Sequence, residues 1–209
     1  MSDKESKANS RSGPRVGNRI KAALAAFVLS LSLAAPVVAG PLEDGVKAAN
    51  RQDYATALRL LRPLAEQGNS RAQGLLGFMY EIGKVVPQDY TEAAKWYRKG
   101  AEQGDRQAEY NLAVMYANGR GVPHDEAESD HWYRKAAEQG DASAQSLVGD
   151  AYLLGRGVPR DFVQAYMWLS LAAQGGDRGA AQTRDGLERF MTAEEIAEAQ
   201  RLRREWIPK

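Results

Sequence analysis

The 209-residue chain contains no cysteine. That absence removes a disulfide framework, a thiolate zinc site, a Cys-x-x-Cys redox pair and a cysteine nucleophile together. Histidine is almost missing as well. The two present, His124 and His131, stand where the preceding repeat (below) has Gln88 and Lys95, and no His-x-x-x-His or carboxylate–histidine spacing surrounds them. No metal ligand set is expected from them. Charge of one sign is lacking: 28 Lys+Arg face 27 Asp+Glu, without the basic excess of a general nucleic-acid binder. Aromatics make up 8% of the chain, yet 44% hydrophobic residues and 26% charged ones separate it from disordered polyelectrolytes. Neither Gly-x-Ser-x-Gly nor Ser-x-x-Lys occurs, so the serine-hydrolase and penicillin-recognising templates find no match. The segment from Gly77 to Gly83-Lys84 has the wrong spacing for a phosphate loop and no Ser or Thr after the lysine. No catalytic residue, metal or cofactor is assigned.

A long apolar run is also absent. The longest, Ala22 to Ala35, has fourteen residues and ends before Pro36, short of the ~20 that a membrane-spanning helix requires. It follows a polar stretch carrying Lys4, Lys7, Arg11, Arg15, Arg19 and Lys21, and precedes the small-residue exit Val37-Val38-Ala39. A basic start, a short apolar stretch and a small-residue exit predict a secretory signal peptide over 1–39, cleaved after Ala39. Removing it would leave 22 basic against 25 acidic groups. The expected working protein is mildly acidic, periplasmic or secreted, with no stable membrane anchor after cleavage; retention of the leader as an uncleaved N-terminal anchor is the competing reading.

What the chain does have is a repeat. Blocks 71–106, 107–142 and 143–178 align without a gap. Trp96, Trp132 and Trp168 recur every 36 residues, as do Tyr80, Tyr116 and Tyr152, and Gly104, Gly140 and Gly176. Residues 42–70 read as a shortened first unit and 179–209 as a divergent last, capping unit.

Each block reads as two helices. Ala72, Leu75, Leu76, Met79 and Tyr80 form one apolar stripe at helical spacing. Gly83, Gly119 and Gly155 stop the first helix, and the following Val-Pro cannot continue it. Asp89, Asp125 and Asp161 stand where a carboxylate would cap the second helix, whose inner face carries Ala93, Trp96, Tyr97 and Ala101. Thr192-Ala193-Glu194-Glu195 is a capping box. The small residues Gly77, Ala113 and Gly149 would let paired helices approach, with the tryptophans filling the seam to the next pair. About eight helices and no strand are expected. One pair cannot bury its own apolar face, so pairs must stack into an all-α solenoid.

The unit Ala-x-x-x-Leu-Gly/Ala-x-x-Tyr, then Gly-Arg-Gly-Val-Pro, then Trp-Tyr-Arg-Lys-Ala-Ala-Glu-Gln-Gly-Asp resembles the Sel1-like repeat family, a relative of the 34-residue tetratricopeptide repeat. The first unit departs from it, with Val85 in place of glycine. The resemblance implies a right-handed superhelix whose concave face, lined by first helices, binds other proteins.

Specificity on such a scaffold resides where the repeats differ. Outside the stripe on the first helices lie Gln73/Glu109/Gln145, Gly74/Tyr110/Ser146, Phe78/Val114/Asp150, Glu81/Ala117/Leu153 and Ile82/Asn118/Leu154. Phe78, Tyr110, Val114, Leu153 and Leu154 are apolar where repeat symmetry does not require it, and with Asn118 they are the candidate protein-binding residues. Burial against the adjoining pair is the competing reading, and full burial of Phe78 and Tyr110 would remove the anchors. The expected function is a non-enzymatic scaffold or regulator of the cell envelope, binding a protein or peptide partner. The alternatives are a glycan-binding module, with exposed aromatic faces, and an envelope enzyme acting on peptidoglycan or β-lactams. An enzyme would show a cleft with a perturbed titratable group and a polar cluster that does not repeat.

Overall fold

The same residues punctuate every unit, and the helices follow from them. The computed structural model describes residues 40–208; the expected leader and its cleavage point lie outside the described residues. The helices are α1 (Pro41–Asn50), α2 (Tyr54–Glu66), α3 (Ser70–Ile82), α4 (Tyr90–Glu102), α5 (Arg106–Asn118), α6 (Glu126–Glu138), α7 (Ala142–Leu154), α8 (Phe162–Gln174), α9 (Arg178–Leu187) and α10 (Ala193–Glu205), with a 3-10 turn at Glu188–Phe190. Ten α-helices among the described residues exceed the expected eight because both end units are full pairs. In the first unit the chain breaks at Gln52, whose φ of 62° is left-handed, and restarts at the Asp53 cap.

Side-chain caps start every helix from α2 to α9, aspartate in each except the Asn69 of α3. Asp53, Asp89, Asp125 and Asp161 accept backbone N–H groups of the second helices at 2.9 to 3.1 Å. Asn69, Asp105, Asp141 and Asp177 do the same for the first helices at 2.8 to 3.0 Å. The Asn or Asp after each Gln-Gly or Gly-Gly therefore opens the next unit as it closes the last, each cap contributing about 1 kcal/mol. Gly83, Gly119 and Gly155 end the first helices with φ of 65°, 62° and 68°, a conformation that costs glycine nothing. Val85 does not take the left-handed backbone of its counterparts Gly121 and Gly157; it lies 40% exposed in a reshaped first loop.

Consecutive helices pack against each other from α1 to α9, and α10 turns back onto α8 to close the end. Within pairs, a Cβ at Gly77 would fall 2.8 Å from the Tyr97 ring, and one at Gly149 2.8 Å from Leu169. Small residues there do permit the close approach.

Two expectations change. Two of the tryptophans back onto the preceding pair, not the next: Trp132 is buried among residues of α4 and α5, and Trp96 packs on the cluster of α1, α2 and α3, whereas Trp168 meets Trp206 of the last unit edge-on at 6.3 Å. The reason is angular. Neighbouring side chains on a helix diverge by ~100°, and Tyr97 occupies the inner direction over Gly77, turning Trp96 aside. The column Gln73/Glu109/Gln145, placed outside the core by the apolar pattern, is buried. Gln73 and Gln145 donate to the carbonyls of Ala65 and Ala137, which end the preceding helices. Polar residues thus sit inside because helix ends supply them with partners.

A further ladder ties the pairs together. Arg62, Arg98 and Arg134 donate to the hydroxyls of Tyr80, Tyr116 and Tyr152 on the following first helices. Both members recur every 36 residues. The repeated tyrosines are therefore structural, as expected.

Candidate functional site

The first helices α1, α3 and α5 form a groove of about 680 Å³. Gly74 creates its floor: a side chain there would meet Asp105 Oδ1 at 3.1 Å and Ala108 Cβ at 3.4 Å, so α3 lies directly on α5. Val46, Leu75 and Phe78 supply apolar walls; Arg71, Gln107 and Asn111 supply polar ones. Burial raises the Asp105 carboxyl above its ordinary value, opposed by the cap bond from Ala108 and by the Arg71 and Arg106 guanidiniums. Arg106 reaches across to Gln139 O at 3.4 Å and Asp141 at 3.9 Å. Arg71 forms no ion pair or hydrogen bond among the described residues and stands ready at the rim.

Of the six sequence-derived candidates, Phe78 lines this groove, half-buried with its ring edge-on to Tyr54 at 6.3 Å. Tyr110 is also half-buried, edge-on to Tyr133 at 5.5 Å and packed on the core of α6 to α8. Val114 is half-buried, and the exposed Asn118 spends its amide on the Val114 carbonyl at 2.8 Å. Leu153 packs on that same core, whereas Leu154 is 60% exposed. Five of the six therefore lie along α5 and α7, outside the groove walls. Arg71, Leu75 and Asn111 were missed: the 36-residue alignment shows them differing between repeats, but Leu75 was absorbed into the core stripe.

A second, smaller cavity of about 230 Å³ opens between α6, α7 and the loop after α7. Its polar lining is His124, Glu126, Ser129, Asp130, Tyr133 and Arg156. Burial raises the Asp130 carboxyl, with Arg134 and Arg156 opposing and Glu126 reinforcing; the Tyr133 phenol is pushed up to about 12, again chiefly by burial. No residue of this cluster was singled out from sequence except His124, read as a solvent-exposed loop residue. His124 is exposed, with Nδ1 3.2 Å from Tyr116 O and Nε2 3.9 Å from Glu126.

The basic residues near the C-terminus form a solvated helix end: Arg201 pairs with Glu198 and Glu205, each at 2.6 Å. Trp132 and Trp168 are each 6% exposed, and Lys99 covers the Trp96 ring at 4.2 Å, so the tryptophan series is packing. Among the described residues, no group of three or more His, Asp or Glu is placed to hold a metal ion, and no helix is long and apolar enough to cross a membrane.

Known proteins share this arrangement. Residues 43–69, 70–105, 106–141 and 142–177 each match the Sel1 repeat. A protective antigen present in uropathogenic Escherichia coli strains, displaying the SLR fold, is 34% identical with a TM-score of 0.65, over 74% of this chain and 33% of its own. A Sel1 repeat protein from Oxalobacter formigenes is 34% identical with a TM-score of 0.67, over 70% of this chain and 58% of its own. This chain thus spans about a third of the first protein and just over half of the second. No curated protein matches the chain. Proteins with such repeats generally serve as protein–protein interaction scaffolds and are typically non-enzymatic. Four matched repeats covering more than half of the chain, stacked through the same caps, small residues and Arg–Tyr rungs, place this protein in the Sel1 repeat family.

Proposed function

We propose that the chain is an exported, non-enzymatic scaffold or regulator of the cell envelope that holds a segment of a partner protein in the α1–α3–α5 groove. The observation that carries this reading is the lining itself. Arg71, Leu75 and Phe78 replace the Gln107, Asn111 and Val114 of the following repeat, while the frame around them keeps a side-chain cap (Asn69, Asp105), a small residue (Gly77, Ala113) and the rung tyrosine (Tyr80, Tyr116). A groove whose lining varies on a recurring frame is where a partner is selected. Its walls suit a segment with an apolar residue over Phe78 and Leu75 and an acidic group for Arg71. Export rests on the basic start, the fourteen-residue apolar run and the small-residue exit at Ala39.

A photo-crosslinking residue at position 78 should trap a discrete partner in the producing cells. The same residue at the exposed position 95 on α4 should not. Equal trapping at both positions would overturn the groove. Fractionation with N-terminal sequencing should recover a periplasmic or secreted chain beginning at Gly40; one beginning at Met1 would overturn cleavage and the export claim built on it.

The second cavity favours a different reading, since it has the raised carboxyl and the unrepeated polar cluster expected of an envelope enzyme. Its only hydroxyl of serine type, Ser129 Oγ, is spent on the Ala113 carbonyl at 3.1 Å. Binding is therefore the better-supported reading. Hydrolysis of a β-lactam or peptidoglycan fragment by the purified chain would reverse that order.

A further inference from the structure

The second cavity exists because one seam of the solenoid lacks the side chains that close the seams on either side of it. At the seam between the first and second full repeats, Glu81, Tyr90 and Met115 occupy three positions. Tyr97, beneath them, is fully buried and donates to Glu81 Oε2 at 2.6 Å. One repeat later the same positions hold Ala117, Glu126 and Ala151, all lining the cavity. At the third seam they hold Leu153, Phe162 and Leu187, packed into the core. Only the middle seam has lost volume at two of the positions and exchanged an aromatic ring for a carboxylate at the third.

Two polar groups are left without partners by these replacements. Tyr133 corresponds to Tyr97, but alanine at 117 and leucine at 147 stand where Tyr97 has Glu81 and Asn111. Its hydroxyl makes no hydrogen bond among the described residues. Asp130 replaces the Ala94 of the first repeat, and its carboxylate lies against Gly157, where a Cβ would come within 1.9 Å of Oδ2. It forms no hydrogen bond or ion pair among the described residues; Arg134 and Arg156 act on it only from longer range. Neither group is sealed from solvent, so both can exchange water for a ligand that enters the cavity.

We propose that the middle seam is a binding pocket for an alkylammonium group. The ammonium would take Asp130 and the Tyr133 hydroxyl, with Glu126 adding negative charge beside them. The Tyr133 ring and the Ala117, Leu147 and Ala151 side chains offer the apolar surface a methylene stem needs. About 230 Å³ holds one such chain and little more. Charge agrees with this assignment. The lining carries two carboxylates, Glu126 and Asp130, against the single guanidinium of Arg156, which is exposed on the loop. The ammonium has two sources of identical chemistry, a lysine side chain of a partner protein or a free aliphatic amine.

The test is titration of the full 209-residue chain, followed by the backbone amide resonances of Gly157 and Tyr133. The probes are Nα-acetyl-lysine methylamide, n-pentylamine and, as the uncharged control, Nα-acetyl-norleucine methylamide. At least one amine should saturate with a dissociation constant of roughly millimolar order, as such small ligands allow. The norleucine compound should not bind. Tighter binding of the lysine derivative would assign a peptide-borne side chain, and tighter binding of pentylamine a free amine; either result supports the pocket. Asp130→Ala should weaken binding by about tenfold or more, as loss of a charge-assisted hydrogen bond requires. Ala151→Met should weaken it as much while leaving every charged group in place. Each variant installs the residue that the preceding repeat carries at that position and folds with, Ala94 for Asp130 and Met115 for Ala151. Failure of both amines to saturate by about 50 mM, binding of norleucine equal to that of lysine, or wild-type affinity in Ala151→Met would each overturn the proposal.

Discussion

The first and middle seams of this solenoid are built on the same backbone plan and filled in opposite ways. Between the first two full repeats, Tyr97 is 0% exposed and its hydroxyl is bonded to Glu81. Between the second and third, Tyr133 is half-buried and borders a cavity. Caps, helix lengths and Arg–Tyr rungs are common to both. The difference shows how a repeat protein acquires a site. Each repeat already contains the residues that hold the stack, so a few truncated side chains at one seam open a pocket without dissolving its neighbours.

The sharpest way to test that contrast is to remove each tyrosine. Tyr97→Ala empties a fully buried position and should cost about 3–5 kcal/mol in denaturant unfolding. Tyr133→Ala enlarges an existing cavity and should cost no more than about half of that. Equal losses would mean that the middle seam is packed as tightly as the first.

Removing only the hydroxyls is a finer probe. Tyr97→Phe strands Glu81 and should cost about 1–2 kcal/mol, whereas Tyr133→Phe, which breaks no bond, should be close to neutral. Ultraviolet titration should place the Tyr133 phenol near pH 12, and Tyr133→Phe should abolish that transition. The stability associated with the protonated phenol is fully present below pH 10, the ordinary value, and is lost as pH rises toward 12.

The Gln73/Glu109/Gln145 column gives a smaller effect with a definite pH sign. Glu109 is 2% exposed, accepts from Gln139 Nε2 at 2.8 Å, and its carboxyl is raised by burial. Stability is therefore full below the ordinary value of 4.5 and declines as pH rises through the raised value. Glu109→Gln should restore the amide of its neighbours, add about 1 kcal/mol at pH 7 and flatten the profile above pH 4.5. A variant less stable than the parent at pH 7 would show that the carboxylate itself is needed at this seam.

The rungs should give the smallest effect and serve as the control. Arg98→Ala and Arg134→Ala each remove one partly buried Arg–Tyr contact and should cost about 0.5–1 kcal/mol, with no difference between seams. A clear inequality would mean that the seams differ in their frame as well as in their filling.

The 36-residue period, glycine stops, aspartate caps and capping box are all readable in the sequence, because each acts within one turn of helix on its own neighbours. They determine the helix pairs and the need to stack them. Phe78 was readable as a candidate for the same reason: it departs from a column whose periodicity is plain. The buried glutamine column was not, because pattern reading counts polarity and cannot see that the preceding helix end supplies its partners.

Chain order alone also did not tell which way Trp96 turns, since that depends on Tyr97 having taken the inner face over Gly77. The cavity is the clearest case. Ala117, Glu126 and Ala151 belong to three helices and three different columns of the repeat, and each change is ordinary when read singly. The sequence determined the unit and its repetition through local hydrogen bonding and apolar spacing. The tertiary structure decided which side chains share a seam, because only stacking brings residues from separate helices around one small volume.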